Sequence, residues 1–177
     1  VGLITYMRTD SAAVARAAQA EAREVIAERF GPRYLPDEPP IYKSRARGAQ
    51  EAHEAIRPTS TRRDPAALKP YLSRDELRLY TLIWKRFVAS QMAPAILDQV
   101  SVDIGAGPPD VAAAARPYLL RATGSKVKFP GFLRVYEESR EEGQEEEAGD
   151  VRLPALVQDE PLDLVRLLPR QHFTQPP

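Results

Sequence analysis

The spacing of apolar residues changes near Pro94, and that change constrains the fold more than any other feature of the chain. Before it, Leu77, Tyr80, Trp84, Phe87 and Val88 recur at the three- and four-residue intervals of a helix face. After it, Val100, Val102 and Ile104 alternate with Gln99, Ser101 and Asp103, the two-residue period of a strand. The pattern predicts an α+β chain, with a helical part over residues 1–93 and a β-rich, antiparallel part over 94–177.

Local signals refine this outline. Thr9, Asp10 and Ser11 are N-cap candidates for a helix over 11–30, with an apolar stripe of Val14, Ala17, Ala18, Val25 and Ile26 and a stop at Gly31-Pro32. The residues before it, 2–8, suit a strand or an extended lead-in. A short helix is predicted over 49–57, ended by Pro58, with Gln50, His53 and Arg57 on one polar stripe. Asp64-Pro65 reads as the cap and first residue of another turn. Ser73-Arg74-Asp75-Glu76 is a capping-box pattern opening a helix over 74–92, in which Trp84 is expected to pack in the core. Beyond Pro94, further strands are expected over 118–123, 126–129, 132–136 and 162–168. The run 137–147 holds seven glutamates and reads as an acidic loop. The chain opens on Val1-Gly2-Leu3-Ile4 and closes on Gln175-Pro176-Pro177, and both ends are expected to be cuts through a longer protein.

Composition narrows the function classes. No apolar run approaches the roughly 20 residues that span a bilayer, and Thr5, Arg8 and Asp10 interrupt any signal-peptide core. There is no cysteine, so disulfides and thiolate metal sites are excluded, and a cytoplasmic protein is expected. His53 and His172 are too far apart in sequence to suggest zinc. The net charge of zero conceals 16 Lys/Arg against 11 Asp/Glu in residues 1–93, and 9 against 14 in 94–177. The basic excess of the first part suits a surface that faces phosphates.

Two segments carry chemistry. In Ile4-Thr5-Tyr6-Met7-Arg8-Thr9-Asp10-Ser11, extended chain would project Tyr6 and Arg8 to one side. A phenol ionises near pH 10, so forming phenolate at pH 7 costs roughly 4 kcal/mol. A guanidinium nearby offsets part of that cost and can also hydrogen-bond a phosphate under attack. Spacing alone nevertheless fits a core tyrosine beside a surface arginine better. In Gln50-Glu51-Ala52-His53-Glu54-Ala55-Ile56-Arg57-Pro58-Thr59, His53 could donate a proton to phosphate and Arg57 could add charge. Alone, this segment fits a partly exposed helix histidine paired with a glutamate better.

In this order and about 40 residues apart, however, the two segments together resemble bacterial type IA DNA topoisomerases. The resemblance continues through residues 79–92, Leu-Tyr-Thr-Leu-Ile-Trp-Lys-Arg-Phe-Val-Ala-Ser-Gln-Met, and returns at Gln171-His172-Phe173-Thr174-Gln175-Pro176-Pro177. Met7 favours the topoisomerase I branch over the topoisomerase III branch, where proline is usual. The resemblance implies a multidomain fragment of a toroidal enzyme that relaxes negatively supercoiled DNA without ATP. It implies that Tyr6 attacks single-stranded DNA and becomes linked to a 5′ phosphate, that Arg8 binds the scissile phosphate and that His53 assists beside the site. Thr9, Asp10, Ser11 and Arg57 correspond to supporting, DNA-binding positions. It further implies a monomeric enzyme of the bacterial cytoplasm, acting at the nucleoid. Its Mg2+ is held by an acidic cluster in a separate nucleotidyl-transfer domain, and that cluster is absent from this sequence. Residues 1–93 would then belong to the helical domain bearing the nucleophile, and 94–177 to one arm of the β-rich gate or hinge. The isolated chain is expected not to relax DNA.

Two other readings remain open. A tyrosine recombinase or type IB topoisomerase also combines tyrosine, arginine and histidine, but places the tyrosine last, whereas Tyr6 comes first. A non-catalytic helix-turn-helix-like DNA-binding module would need a recognition helix rich in base-reading side chains, and the 11–30 segment is rich in alanine.

Overall fold

The computed structural model describes residues 2–9, 11–42, 54–108, 110–112, 115–136, 153–169, 171 and 173. Helices precede an antiparallel two-stranded sheet, giving the expected α+β order. The elements are α1 (Arg16–Phe30), α2 (Pro65–Leu68), α3 (Arg74–Ser90), β1 (Ile96–Ala106) and β2 (Tyr118–Phe129), with short 3-10 turns at Pro32–Tyr34 and Gly131–Arg134. The chain forms two compact units, Val1–Asp98 with Lys126–Glu147, and Gln99–Ser125 with Ala148–Pro177.

In the first unit, α3 forms where its sequence dictates. The Ser73 hydroxyl accepts from the Glu76 N–H, and the Glu76 carboxylate accepts from the Ser73 N–H, completing the capping box. Asp64 caps α2 by accepting from the Ala66 N–H at 2.6 Å, with Pro65 at the first helical position. Tyr80, Trp84, Phe87 and Val88 are buried along one face of α3. Ile26 of α1 joins Tyr80, Trp84, Val88 and Met92 in the main core, and Leu3, Ile4, Phe30, Tyr34, Leu72, Phe132 and Val135 pack around it. Trp84 is thus a core residue, as its helical spacing indicated.

Helix α1 begins later than the expected residue 11. Its N-cap is Ala15, which makes no side-chain capping bond, so neither Thr9 nor Ser11 caps it; Asp10 lies outside the described residues. The Ser11 hydroxyl instead accepts from the Ala13 N–H, a local turn that competes with helix. Ala13 O accepts from the Ala55 N–H and the Ala15 N–H donates to Glu54 Oε1, so tertiary partners hold 11–15 out of the helix. The buried stripe is Ala18, Ala22, Val25 and Ile26, while Ala17 faces solvent.

The predicted helix over 49–57 also fails where it can be followed. Residues 49–53, including Gln50 and His53, lie outside the described residues, but 54–57 are not helical. They run alongside the start of the chain, with an antiparallel bridge between Ile4 and Pro58. Backbone groups that a helix would bond internally are used across this pairing instead.

Between that pairing and α2, residues 60–64 are held from two sides. Trp84 Nε1 donates to Thr61 O at 2.9 Å, and the Tyr80 hydroxyl donates to Arg63 O at 2.7 Å. From the α1 side, Glu24 and Glu28 accept from the Arg62 guanidinium at 2.8 and 2.9 Å, Glu21 accepts from Ser60, and Arg29 pairs with Asp64.

The residues after β2 turn where a strand was expected. Phe132–Tyr136 is not a strand: Gly131–Arg134 is a 3-10 turn, and the Phe132 N–H donates to Ala93 O at 3.0 Å. Gly131 has φ +48°, and a Cβ there would overlap the carbonyls of Ala93 and Pro94. Only glycine meets both conditions. The turn swings Phe132 and Val135 onto the core, which satisfies the same apolar residues that suggested a strand.

In the second unit, Asp103 pairs with Arg121 at 2.6 Å and Ser101 lies 3.4 Å from Thr123 between hydroxyl oxygens, fixing the antiparallel register. β2 runs unbroken from Tyr118 to Phe129, through the gap expected between two shorter strands. Arg116 closes the connection by donating to Val111 O and Gly105 O. Residues 162–168 form no strand, and Val165 is 95% exposed; among the described residues, nothing pairs with this segment's backbone. The acidic run 137–147 lies outside the described residues.

The ion pairs around Arg62 set an acid limit on stability. The hydrogen bond from Arg62 holds the Glu28 carboxyl below its ordinary value of 4.5. Partial burial opposes ionisation of Asp64, but hydrogen bonds from Arg29 and the Ala66 N–H outweigh it and lower that group too. A carboxyl whose pKa falls on folding stabilises fully above its unfolded value, and that contribution is lost as pH falls through the folded value. The melting temperature should therefore hold steady above about pH 5 and decline below it. In Glu28→Gln the neutral plateau should be lower and the acid decline shallower. A melting curve series with the same acid decline in both proteins would show that this pair does not contribute.

Candidate active site

The segment bearing Tyr6 is fixed at one end by the core and by backbone pairing. Leu3 and Ile4 pack against the main core cluster. The Thr5 N–H donates to Arg57 O, and the Thr59 N–H donates to Leu3 O, each at 2.9 Å. Thr5 adds a second layer: its hydroxyl donates to Ala55 O at 3.0 Å and accepts from the Arg57 N–H at 3.0 Å. The Thr59 hydroxyl donates to Gly2 O at 2.9 Å. A β-branched hydroxyl residue suits this role because it fills an extended position while its oxygen serves the facing backbone.

Tyr6 follows immediately and is 80% exposed. Met7, Arg8 and Thr9 are exposed as well, so four surface residues lie between Thr5 and the turn at Ser11. This overturns the core-tyrosine reading that spacing alone favoured. The Arg8 N–H donates to Tyr6 O at 3.0 Å, a three-residue turn centred on Met7. The straight strand expected to align Tyr6 with Arg8 is therefore bent between them. The two residues remain neighbours on the surface, but by way of a turn rather than strand alternation.

Arg57 is held close behind this surface, with only 12% of its side chain exposed. Its Nη2 donates to Glu54 Oε2 at 2.8 Å and its Nη1 to Pro58 O at 3.0 Å, while its buried Nε has no hydrogen-bond partner. Glu54 uses its other oxygen to accept from the Ala15 N–H at 2.6 Å, tying the residues before α1 to the same segment. His53, Asp10 and Gln50 lie outside the described residues, so the expected stripe of Gln50, His53 and Arg57 is represented here by Arg57 alone. Thr5 and Glu54 were not singled out by sequence reasoning. Their roles arise from contacts about 40 to 50 residues apart in the chain, which no local period reports.

Among the described residues, no three His, Asp or Glu side chains are grouped so as to hold a metal ion. No described helix is long and apolar enough to cross a membrane.

A family model described as DNA topoisomerase matches residues 1–177. The chain belongs to this family. It is 49% identical over 178 residues to DNA topoisomerase 1 of Xylella fastidiosa, covering 100% of this chain and 21% of that protein. It is 45% identical over 177 residues to DNA topoisomerase 1 of Rickettsia felis, covering 100% of this chain and 22% of that protein. Full-length topoisomerase I from Thermotoga maritima is a structural neighbour with a TM-score of 0.61 and 36% identity, covering 79% of this chain and 20% of its own. The chain thus spans about a fifth of the length of the curated topoisomerases it matches. Within that fifth lies the whole exposed Tyr6–Thr9 segment with the paired backbone beneath it.

The same geometry makes Arg57 testable as a structural member of this topoisomerase segment. Lysine would keep the charge but cannot reach Glu54 and Pro58 O together through a planar fork. Arg57→Lys should lower unfolding stability by about 1–3 kcal/mol in urea titration, the cost of leaving buried polar groups unpaired. An unchanged urea midpoint and slope would show that the guanidinium contacts do not hold this segment.

Proposed function

We propose that this chain supplies the nucleophile-bearing half of a type IA DNA topoisomerase active site, with Tyr6 as the attacking residue. The observation that carries this reading is the exposed Tyr6 placed directly after a pinned Thr5, in a chain that the family model matches throughout. A nucleophile for a polymeric substrate must be accessible, yet its backbone must not wander, and this segment meets both needs.

In the proposed reaction, Tyr6 Oη attacks a phosphorus of single-stranded DNA. The Tyr6–phosphate bond forms as the P–O3′ bond breaks. The phenolic proton is lost, and the departing 3′ oxygen takes up a proton to become a hydroxyl. The product is a 5′-phosphotyrosine, and reversal by the 3′ hydroxyl reseals the strand after passage. One phosphodiester is exchanged for another, so no ATP is consumed. Arg8 is assigned to the scissile phosphate, where a guanidinium can bridge two oxygens and stabilise the developing charge. His53 is assigned to proton transfer or DNA positioning beside it. Thr9, Asp10 and Ser11 are assigned to the DNA-facing surface. Arg57, whose guanidinium is engaged by the Glu54 carboxylate and Pro58 O, is assigned a supporting place beneath that surface.

Residues 1–93 are assigned to the helical domain bearing the nucleophile, and 94–177 to one arm of the β-rich gate or hinge. In the full enzyme, proposed to be a monomer at the bacterial nucleoid in the cytoplasm, Mg2+ would neutralise charge at the phosphate. Its carboxylate ligands are assigned to the nucleotidyl-transfer domain.

Two substitutions in the full-length protein test this assignment. Tyr6→Phe removes only the attacking oxygen, so cleavage and relaxation should be abolished while single-stranded DNA affinity stays within about twofold. Arg8→Lys should slow cleavage by about tenfold or more, the scale of losing a transition-state donor. A covalent adduct persisting in Tyr6→Phe on a denaturing gel would remove Tyr6 from the reaction, and wild-type cleavage in Arg8→Lys would remove the guanidinium from the phosphate.

A further inference from the structure

The nucleophile's own contacts do not explain what holds it in place, because Tyr6 is exposed and the turn at Met7 lies on its far side. On the near side, hydrogen bonds converge on one residue pair. Thr5 and Arg57 exchange two through Thr5 N–H to Arg57 O and Arg57 N–H to the Thr5 hydroxyl. The same hydroxyl donates to Ala55 O, and the Arg57 side chain is anchored by Glu54. Glu54 in turn holds the Ala15 N–H. The segment carrying Tyr6, the segment carrying Arg57 and the approach to α1 are thereby joined through the Thr5 hydroxyl and the Glu54 carboxylate.

We propose that Thr5 and Glu54 are positioning residues for the Tyr6 nucleophile, acting through Arg57 and its backbone rather than by touching DNA. This rests on the reading of Tyr6 as the nucleophile. An attacking oxygen displaced by about an ångström can lose about a hundredfold in rate. A hydroxyl that fixes the residue immediately before the nucleophile is therefore felt in the bond-forming step. DNA binding draws on charges spread over the whole surface and is felt little.

The test uses the full-length protein and a short single-stranded oligonucleotide labelled at one end. Covalent adduct formation is followed in single turnover at saturating protein, and affinity is measured separately by anisotropy. Thr5→Val keeps the shape and β-branching but removes the hydroxyl, and should slow adduct formation by about tenfold or more with affinity changed less than about twofold. Thr5→Ser restores the hydroxyl and should recover to within about threefold of wild type. Glu54→Gln removes the charge that holds Arg57 and should show the same division between rate and affinity, so it decides the matter if Thr5→Val does not fold. Adduct formation at the wild-type rate in a folded Thr5→Val, or in Glu54→Gln if Thr5→Val is unfolded, overturns the proposal. Equal slowing in Thr5→Val and Thr5→Ser, or a loss of affinity matching the loss of rate, overturns it as well. Tyr6→Phe run in parallel separates the two ideas: adduct retained there overturns both, whereas adduct lost there with wild-type rate in Thr5→Val overturns the positioning role alone.

Discussion

The antiparallel pairing of residues 2–5 with 55–59 is the constraint on which the rest of the first unit depends. It joins the start of the chain to a segment more than 50 residues away, through the Ile4–Pro58 bridge and the hydrogen bonds of Leu3, Thr5 and Thr59. From one end it leads directly to Tyr6. From the other it leads through Pro58 into residues 60–64, which Trp84 and Tyr80 of α3 grip from one side and Glu24 and Glu28 of α1 from the other. The surface tyrosine is thus referred to the core through a short series of backbone contacts. Burial of Trp84, Tyr80, Val88 and Ile26 against one another supplies the rigidity at the base of that series.

Such an arrangement suits chemistry on a polymer. In the proposed reaction the tyrosine would have to meet a strand threading past it, so it could not be enclosed as it would be for a small substrate. Precision then has to come from the backbone beneath it. Thr5 is useful here because one hydroxyl serves two facing backbone groups while its methyl and branched Cβ favour extended conformation. Arg57 is useful in a different way. Its guanidinium is fixed by Glu54 and Pro58 O, so its charge sits at a defined place behind the exposed segment without needing a free fork.

Local signals made much of the helical scaffold legible. The Ser73–Glu76 capping box, the Asp64-Pro65 cap and the apolar face of α3 all depend on neighbours within four residues, and each forms as its sequence indicates. The failures share the opposite property. The start of α1 moves to Arg16 because Glu54 and Ala55 claim the backbone of 13–15. Residues 54–57 leave their helical pattern because Thr5 and Ala13 claim the backbone of Ala55 and Arg57. Residues 132–136 turn because Gly131 approaches the Ala93 and Pro94 carbonyls too closely for any other residue. In the exposed segment, Tyr6 and Arg8 stand out only through their motif, whereas the exposure of Tyr6 contradicts its spacing and the contacts of Thr5 and Glu54 left no periodic trace.

The proposed chemistry requires the oxygen of Tyr6 to become joined to DNA. The most direct measurement traps the covalent adduct of the full-length protein with an oligonucleotide labelled separately at each end, digests it, and identifies the DNA-bearing peptide and the bond by mass spectrometry. The expected result is a single modified peptide containing Ile4-Thr5-Tyr6-Met7-Arg8, with Tyr6 linked to a 5′ phosphate and a free 3′ hydroxyl on the other DNA end. Attachment to any other tyrosine, or a 3′ phosphate linkage at Tyr6, would contradict it.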